Sequence, residues 1–403
     1  MDPILIIGSG LGGLALAQGL YKSKIPFKIF ERDQSNSIRS QGYRIRLYGE
    51  GLHALRSLLK DEIWSLFEET CAETVLGPLP NIDAYTCEIS AADFGGHNPQ
   101  AQISQSTQDT STVDRGVLRE VLTSGLDTHI VYGKMYTDYV PTETGIIARF
   151  ADGTLETGSL LIGADGVASA VRRQYLPHLR VLDTRTLPIY GKTPLTESLR
   201  KRMLPEAMKC LSLVRDAKTN HTTLMEAIRF LPQDQRKDQR DLPQDYVYWV
   251  ITPPSDDPSG GVQHKLVGGR EAAELAKKTT SHWHSALRPL IELQDPSQTG
   301  MFRLLTFDPE LLKQPWEANV LVTLIGDAVH AMLPSTASGA VTTLRDAELL
   351  CNLIKDQGVS IETIATYEER MRSYASDAVS SSATIGLLNF GMGALADSEA
   401  VSW

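Results

Sequence analysis

Four aliphatic residues, Ile4-Leu5-Ile6-Ile7, run without interruption into Gly8-Ser9-Gly10-Leu11-Gly12-Gly13, after which Leu14, Leu16, Ala17 and Leu20 recur at helical spacing. An unbroken aliphatic run predicts a parallel strand buried on both faces, and the periodic residues beyond it predict an amphipathic helix. Phe27-Lys28-Ile29-Phe30 predicts a second strand. A polar loop is expected over 32–41, an alternating strand over 43–48, and helix across about 50–70, where Leu52, Leu55, Leu58, Leu59, Ile63 and Leu66 keep the period.

The polar stretch 97–112 is expected to be a loop, and Asp114 stands where it can cap a helix running to 122. Strands are expected at 130–132, 136–140, 146–150 and 155–162, with Asp152-Gly153 as the hairpin turn between the last two. From 180 to 310 the texture changes. Runs at 211–214, 222–231 and 246–251 alternate like antiparallel strands, the charged 234–245 stretch connects two of them as a solvated loop, and helix follows near 270–290. A buried strand returns at 320–325 and ends in Gly326-Asp327-Ala328-Val329-His330. Helices over 339–353 and 361–380 come next, and the apolar 385–395 stretch is expected as a packed terminal helix or a cover over a pocket.

The pattern as a whole predicts an α/β fold: a Rossmann-like nucleotide-binding domain with an inserted mixed or antiparallel β-sheet domain and C-terminal helices. The expected boundaries are 1–180 for the first part of the nucleotide-binding domain, 181–310 for a substrate-binding sheet domain, and 311–403 for the return strand and terminal helices.

Composition excludes several classes. Hydrophobic residues at 42% and charged residues at 22% are ordinary for a globular chain of 403 residues. A net charge of −10 argues against a nucleic acid or an anionic membrane surface as partner, since both call for basic patches. Cys71, Cys87, Cys210 and Cys351 show no paired spacing, so neither a metal site nor a disulfide framework is expected. Asp2 replaces the basic start of a signal peptide, and no stretch reaches the ~20 apolar residues a transmembrane helix needs, so a cytoplasmic location is expected.

The glycine turn carries the first chemistry. Gly8 permits a tight turn, Gly10 lets backbone approach a pyrophosphate, and Gly13 lets the helix lie close on the strand. The helix N-terminus then supplies amide N–H groups to an anion. Glu31, 18 residues past Gly13, ends the second strand, where a carboxylate can accept from both hydroxyls of an adenosine ribose. Two further segments recur in order, Gly163-Ala164-Asp165-Gly166 and Gly326-Asp327, the latter followed by Pro334 and Asp346-Ala347.

With these three elements the chain resembles, from Ile4 to Leu350, the class A, single-component FAD-dependent aromatic hydroxylases and epoxidases, including those of fungal secondary metabolism; residues 180–310 match in layout alone. The resemblance implies non-covalent FAD with NAD(P)H as a transient co-substrate, because only one glycine fingerprint is present. It implies that Gly8, Gly10, Gly12 and Gly13 hold the ADP half and that Glu31, with Arg32 beside it, binds the ribose. Asp327 would accept from the ribityl or pyrophosphate side, Arg115 would contact the flavin side, and Asp165 and Gly166 would serve both FAD and the nicotinamide. Gly339 and Ala340 fall where backbone passes the flavin pyrimidine. There the family pattern Gly-x-Gly-x-Asn is replaced by Ala337-Ser338-Gly339-Ala340-Val341.

The implied reaction hydroxylates or epoxidises an aromatic or polycyclic small molecule with O2, through a flavin C4a-hydroperoxide. Two rivals remain open: a cyclase, isomerase or oxidase on the same fold, and a flavin-binding protein without catalysis. No residue is identified as the base. Arg44, Arg46, Arg229, Tyr246 and Tyr248 are candidates by position, whereas His330 is expected to be packed with a satisfied hydrogen bond. Tyr246, Tyr248 and Trp249 share a strand and could face core or pocket. A monomer or homodimer is expected.

Overall fold

The computed structural model describes residues 2–35, 43–91, 110–238, 240–252 and 268–403. Most of the loop expected over 97–112 lies outside these residues, and its end, 110–112, belongs to the strand Thr110–Asp114.

Ile4–Ile7 is buried along its whole length because it has a neighbour on each side, Leu160–Gly163 and Phe27–Glu31. Val322–Leu324 and Ile130–Tyr132 complete a five-stranded parallel sheet, ordered Val322–Leu324, Leu160–Gly163, Ile4–Ile7, Phe27–Glu31, Ile130–Tyr132. The helix Leu11–Lys22 covers one face and packs against the long helix Gly339–Gln357. That approach is close enough that a Cβ on Gly12 would lie 2.7 Å from Thr343 Cγ2.

The run at 155–162 is two strands, not one. Leu155–Gly158 pairs antiparallel with Ile146–Phe150, and Leu160–Gly163 then joins the parallel sheet. The polar stretch Glu156-Thr157-Gly158-Ser159 marks the junction, and the unbroken aliphatic run begins only at Leu160, where the pairing partner changes. The expected helix over 361–380 continues to Phe390, and its last turns bury Ile385 and Phe390 against Leu79, Leu213 and Leu333.

A seven-stranded sheet covers the other side of the molecule. Its order is Gly300–Met301, Ile189–Pro194, Tyr246–Thr252, His221–Ile228, Ser212–Asp216, Pro80–Asp83, Ile89–Ala91. The last two strands come from outside 181–310, so the sheet is not confined to the segment expected to build it. Tyr246–Thr252 is buried at every position, since both faces of the sheet are covered. Val247, Trp249 and Ile251 join one core with Trp283 and Leu287, and Tyr246, Tyr248 and Val250 join another with Tyr190 and Ile228. Gly191 makes room for Trp249, whose ring would lie 2.1 Å from any Cβ there. A two-stranded antiparallel ribbon, Arg44–Tyr48 with Thr110–Asp114, lies on the Tyr248 face.

Candidate functional site

A cleft of about 580 Å³ opens at the carboxyl ends of Ile4–Ile7 and Phe27–Glu31, where an open α/β sheet binds ligands. Gly8 turns the chain into it at φ +106°, and a Cβ there would sit 2.4 Å from the Ala164 carbonyl oxygen. A Cβ on Gly13 would sit 2.2 Å from the Gly8 carbonyl oxygen. Both glycines are therefore required by backbone approach. Gly10 also lines the cleft, while Gly12 turns away to the Thr343 helix contact.

Glu31 is almost buried, 7% exposed, and its carboxylate is tied to the glycine turn. Oε2 accepts from the Ser9 N–H at 2.9 Å and the Ser9 hydroxyl at 2.8 Å, and Oε1 accepts from the Asp33 N–H at 3.0 Å. Arg119 closes the network by donating to the Ser9 carbonyl at 3.1 Å and to Ser9 Oγ at 2.8 Å. Sequence reasoning missed Arg119. Its position one helical turn after Arg115, with both on the helix capped by Asp114, was the available signal.

Arg32, Arg115, Asp165, Gly166 and Asp327 also line the cleft. Asp165 Oδ2 accepts from the Ala170 N–H at 2.8 Å, yet its Oδ1 is buried with no hydrogen-bond partner. Burial pushes the Asp165 pKa up against the hydrogen bonds that pull it down. An orphaned carboxylate oxygen beside a ligand-sized cleft fits a polyol hydroxyl donor, such as FAD carries. Arg32, Arg115, Arg119, Lys134 and Arg173 are matched by Glu31, Asp33, Glu120, Asp165 and Asp327, five against five. The lining charges therefore cancel, and the cleft carries no net charge of its own.

Asp327 follows Gly326, which turns at φ +62° and donates its N–H to Asp346 Oδ2 at 2.7 Å. Asp346 also holds His330 Nε2 at 2.6 Å and accepts from the Tyr374 hydroxyl at 2.6 Å. His330 is fully buried and away from the cleft lining. Burial opposes its protonation, but the adjoining Asp346 outweighs that and its pKa rises. Gly339 and Ala340 begin the helix Gly339–Gln357 and are not part of the cleft lining. Ala337, just before them, adopts the left-handed conformation at φ +54°.

The positional candidates separate. Arg44 and Arg46 both reach Glu226 across the sheet interface. Tyr246 donates to Asp114 Oδ2 at 2.8 Å, and Lys192 pairs with the same oxygen at 2.7 Å. Tyr248 shares this face with Tyr190 and Tyr43, at 6.4 and 6.1 Å between ring centroids. Arg229 instead donates to the Met208 carbonyl and so braces a turn. Trp249 is core, its indole N–H bonded to Thr193 Oγ1 at 3.0 Å. Among the described residues no group of His, Cys, Asp and Glu could hold a metal, and no helix is long and apolar enough to cross a membrane.

A parallel sheet with this glycine turn is thus joined to a large sheet whose inner face carries the buried Tyr190, Tyr246 and Tyr248 and meets Arg44 and Arg46 of the ribbon. No family model matches the chain. It is 37% identical over 389 residues to a dual O-methyltransferase/FAD-dependent monooxygenase of Phaeosphaeria nodorum, covering 89% of this chain and 41% of that protein. Over 372 residues it is 29% identical to an FAD-dependent monooxygenase of Trichoderma harzianum, covering 90% and 86%. A solved structure described as a putative FAD-containing monooxygenase of Photorhabdus luminescens superposes with a TM-score of 0.78 at 27% identity, over 96% of this chain and 99% of that one. The chain spans less than half the length of the dual-function relative. By sequence and fold the chain is similar to FAD-dependent monooxygenases.

Proposed function

We propose that the chain is an FAD-dependent monooxygenase that uses NAD(P)H and O2 to hydroxylate or epoxidise an aromatic or polycyclic small molecule. The cleft carries this reading: Glu31, Arg115, Asp165 and Asp327, from four distant parts of the chain, converge on one glycine turn. The similarity to the Phaeosphaeria and Trichoderma FAD-dependent monooxygenases supports it. The transferase activity of the former is not carried over, because this chain matches only part of that protein.

Bound FAD would supply hydride acceptance from the nicotinamide and activation of O2. The chain's own residues bind and orient. Amides at the start of Leu11–Lys22 would take the pyrophosphate, Glu31 a ribose hydroxyl, and Asp165 Oδ1 a further hydroxyl. Tyr43, Tyr190, Tyr248 and Phe302 form an aromatic wall that would exclude water from the substrate. In this reading 1–180 and 311–403 hold the cofactor, and 181–310 together with the strands at 80–91 covers the substrate. A cytoplasmic setting and a monomer or homodimer accompany it.

The purified protein should be yellow, with about one FAD per chain released by acid precipitation. Substrate should stimulate NADPH oxidation and acquire one atom of 18O from 18O2. Turnover without label would select an isomerase or oxidase on the same fold, and flavin that NADPH never reduces would select a binding protein.

A further inference from the structure

Asp114 ends the ribbon strand Thr110–Asp114 and caps the helix Arg115–Thr123, and its two carboxylate oxygens serve different parts of the molecule. Oδ1 accepts from the Gly116 N–H at 2.8 Å and the Val117 N–H at 3.3 Å, which is the cap itself. Oδ2 accepts from the Lys192 ammonium at 2.7 Å and the Tyr246 hydroxyl at 2.8 Å, and these come from neighbouring strands of the large sheet. Asp114 is 2% exposed, Tyr246 3% and Lys192 7%. The capped helix gives Arg115, Gly116, Arg119 and Glu120 to the cofactor cleft, and Arg119 holds Ser9 of the glycine turn. One buried carboxylate therefore joins the large sheet to a wall of the cleft.

Capping alone does not call for this arrangement. Two amides complete an N-cap, and neither needs a lysine. Lys192 brings an ammonium out of water onto a covered sheet face, where the attraction of Asp114 has to offset a desolvation penalty. The Tyr246 ring, with its centroid 4.3 Å from the ammonium, adds a cation–π contact. Such a buried pair contributes little net stability, and its best-attested use is to fix one arrangement against others. Arg44, opposite Asp114 in the ribbon, pairs with Glu226 and leaves Asp114 to Lys192. Burial, and after it the adjoining Asp114, push the Tyr246 pKa well up, so its hydroxyl stays a donor and is no base. The Arg115 backbone is pinned too, its N–H donating to the Tyr43 carbonyl at 2.9 Å.

We propose that Lys192 and Tyr246 are positioning residues for the cofactor: acting through Asp114, they lock the helix that presents Arg115 and Arg119 to the cleft at a fixed place against the flavin nucleotide. Neither lines the cleft itself. The proposal rests on the FAD-dependent monooxygenase reading for what Arg115 meets there, but FAD binding tests it without turnover and without a known substrate.

Tyr246→Phe removes the hydroxyl donor and keeps the ring, and Lys192→Met removes the charge and keeps most of the volume; the first serves alone should the second not fold. Trp249→Phe is the control, since it disturbs the same strand from its other face, among Trp283 and Leu287. FAD affinity is read by quenching of flavin fluorescence, the reduction potential of the bound flavin by equilibration with a reference dye, and stability by thermal unfolding. Tyr246→Phe and Lys192→Met should each weaken FAD binding by about three- to tenfold, a part of the roughly 10- to 150-fold carried by a hydrogen bond to a charged group. Both should lower the potential, because a guanidinium that recedes stabilises reduced, anionic flavin less. The double variant should cost less than the product of the two single effects, since both act through one oxygen. Trp249→Phe should lose stability and leave affinity and potential unchanged. Affinity within about twofold of wild type in both variants, an unmoved or raised potential, a multiplicative double variant, or equal shifts in Trp249→Phe would overturn the proposal and keep the flavoprotein reading. Wild-type protein that takes up no FAD would remove both.

Discussion

Replacing Glu31 with Gln should have two separable consequences, because its carboxylate serves both the fold and the cleft. Three donors converge on it, the Ser9 N–H, the Ser9 hydroxyl and the Asp33 N–H. A carboxylate accepts at both oxygens, but an amide accepts at one and donates at the other. Glutamine can satisfy Ser9 or Asp33, and whichever it faces with its NH2 group meets a donor. One hydrogen bond is lost beside a residue only 7% exposed, and an unsatisfied buried donor costs about 1–3 kcal/mol. Urea unfolding of the FAD-free protein should show a loss of that order. FAD affinity should fall further, since a hydrogen bond to a charged acceptor contributes about 1.5–3 kcal/mol, or roughly 10- to 150-fold in Kd. Quenching of flavin fluorescence on binding measures this. Affinity within about threefold of wild type, roughly 0.65 kcal/mol, would refute Glu31 as a nucleotide acceptor. Unchanged stability without FAD would refute its part in bracing the turn.

Gly12→Ala should destabilise the protein by about 1–3 kcal/mol through overpacking against Thr343, and Thr343→Ser, which removes the clashing methyl, should restore much of that loss in thermal unfolding. Ala337→Gly should stabilise by up to about 1 kcal/mol, because alanine there holds φ +54°, and FAD affinity should stay within about threefold; unfolding midpoints and flavin titration check both. Glu368 is buried, and desolvation raises its pKa to about 7, against hydrogen bonds from Thr323, Trp316 and Tyr175. With the folded pKa raised above the unfolded value, its contribution is complete below about pH 4.5 and is lost as pH rises through 7. The wild type should therefore lose about 1.4 kcal/mol per pH unit over that window relative to Glu368→Gln, as read by urea unfolding at each pH.

What the sequence determined by itself was local. A strand, a glycine turn and a helix follow from an aliphatic run, from residues that tolerate φ +106° and close backbone approach, and from a 3.6-residue period, none of which needs a distant partner. Asp114 as a helix cap and Gly153 in its hairpin are legible for the same reason. Alternation on 246–252 announced two faces, but only the pairing of Tyr246–Thr252 with Ile189–Pro194 and His221–Ile228 decided that Trp249 goes to the core and Tyr248 to the inner face. The strands added from 80–91 and the Arg46–Glu226 contact across 180 residues depend on sheet order. A period of two says that side chains alternate; which side meets a charge, a cofactor or a core is settled by whatever the folded chain brings against it.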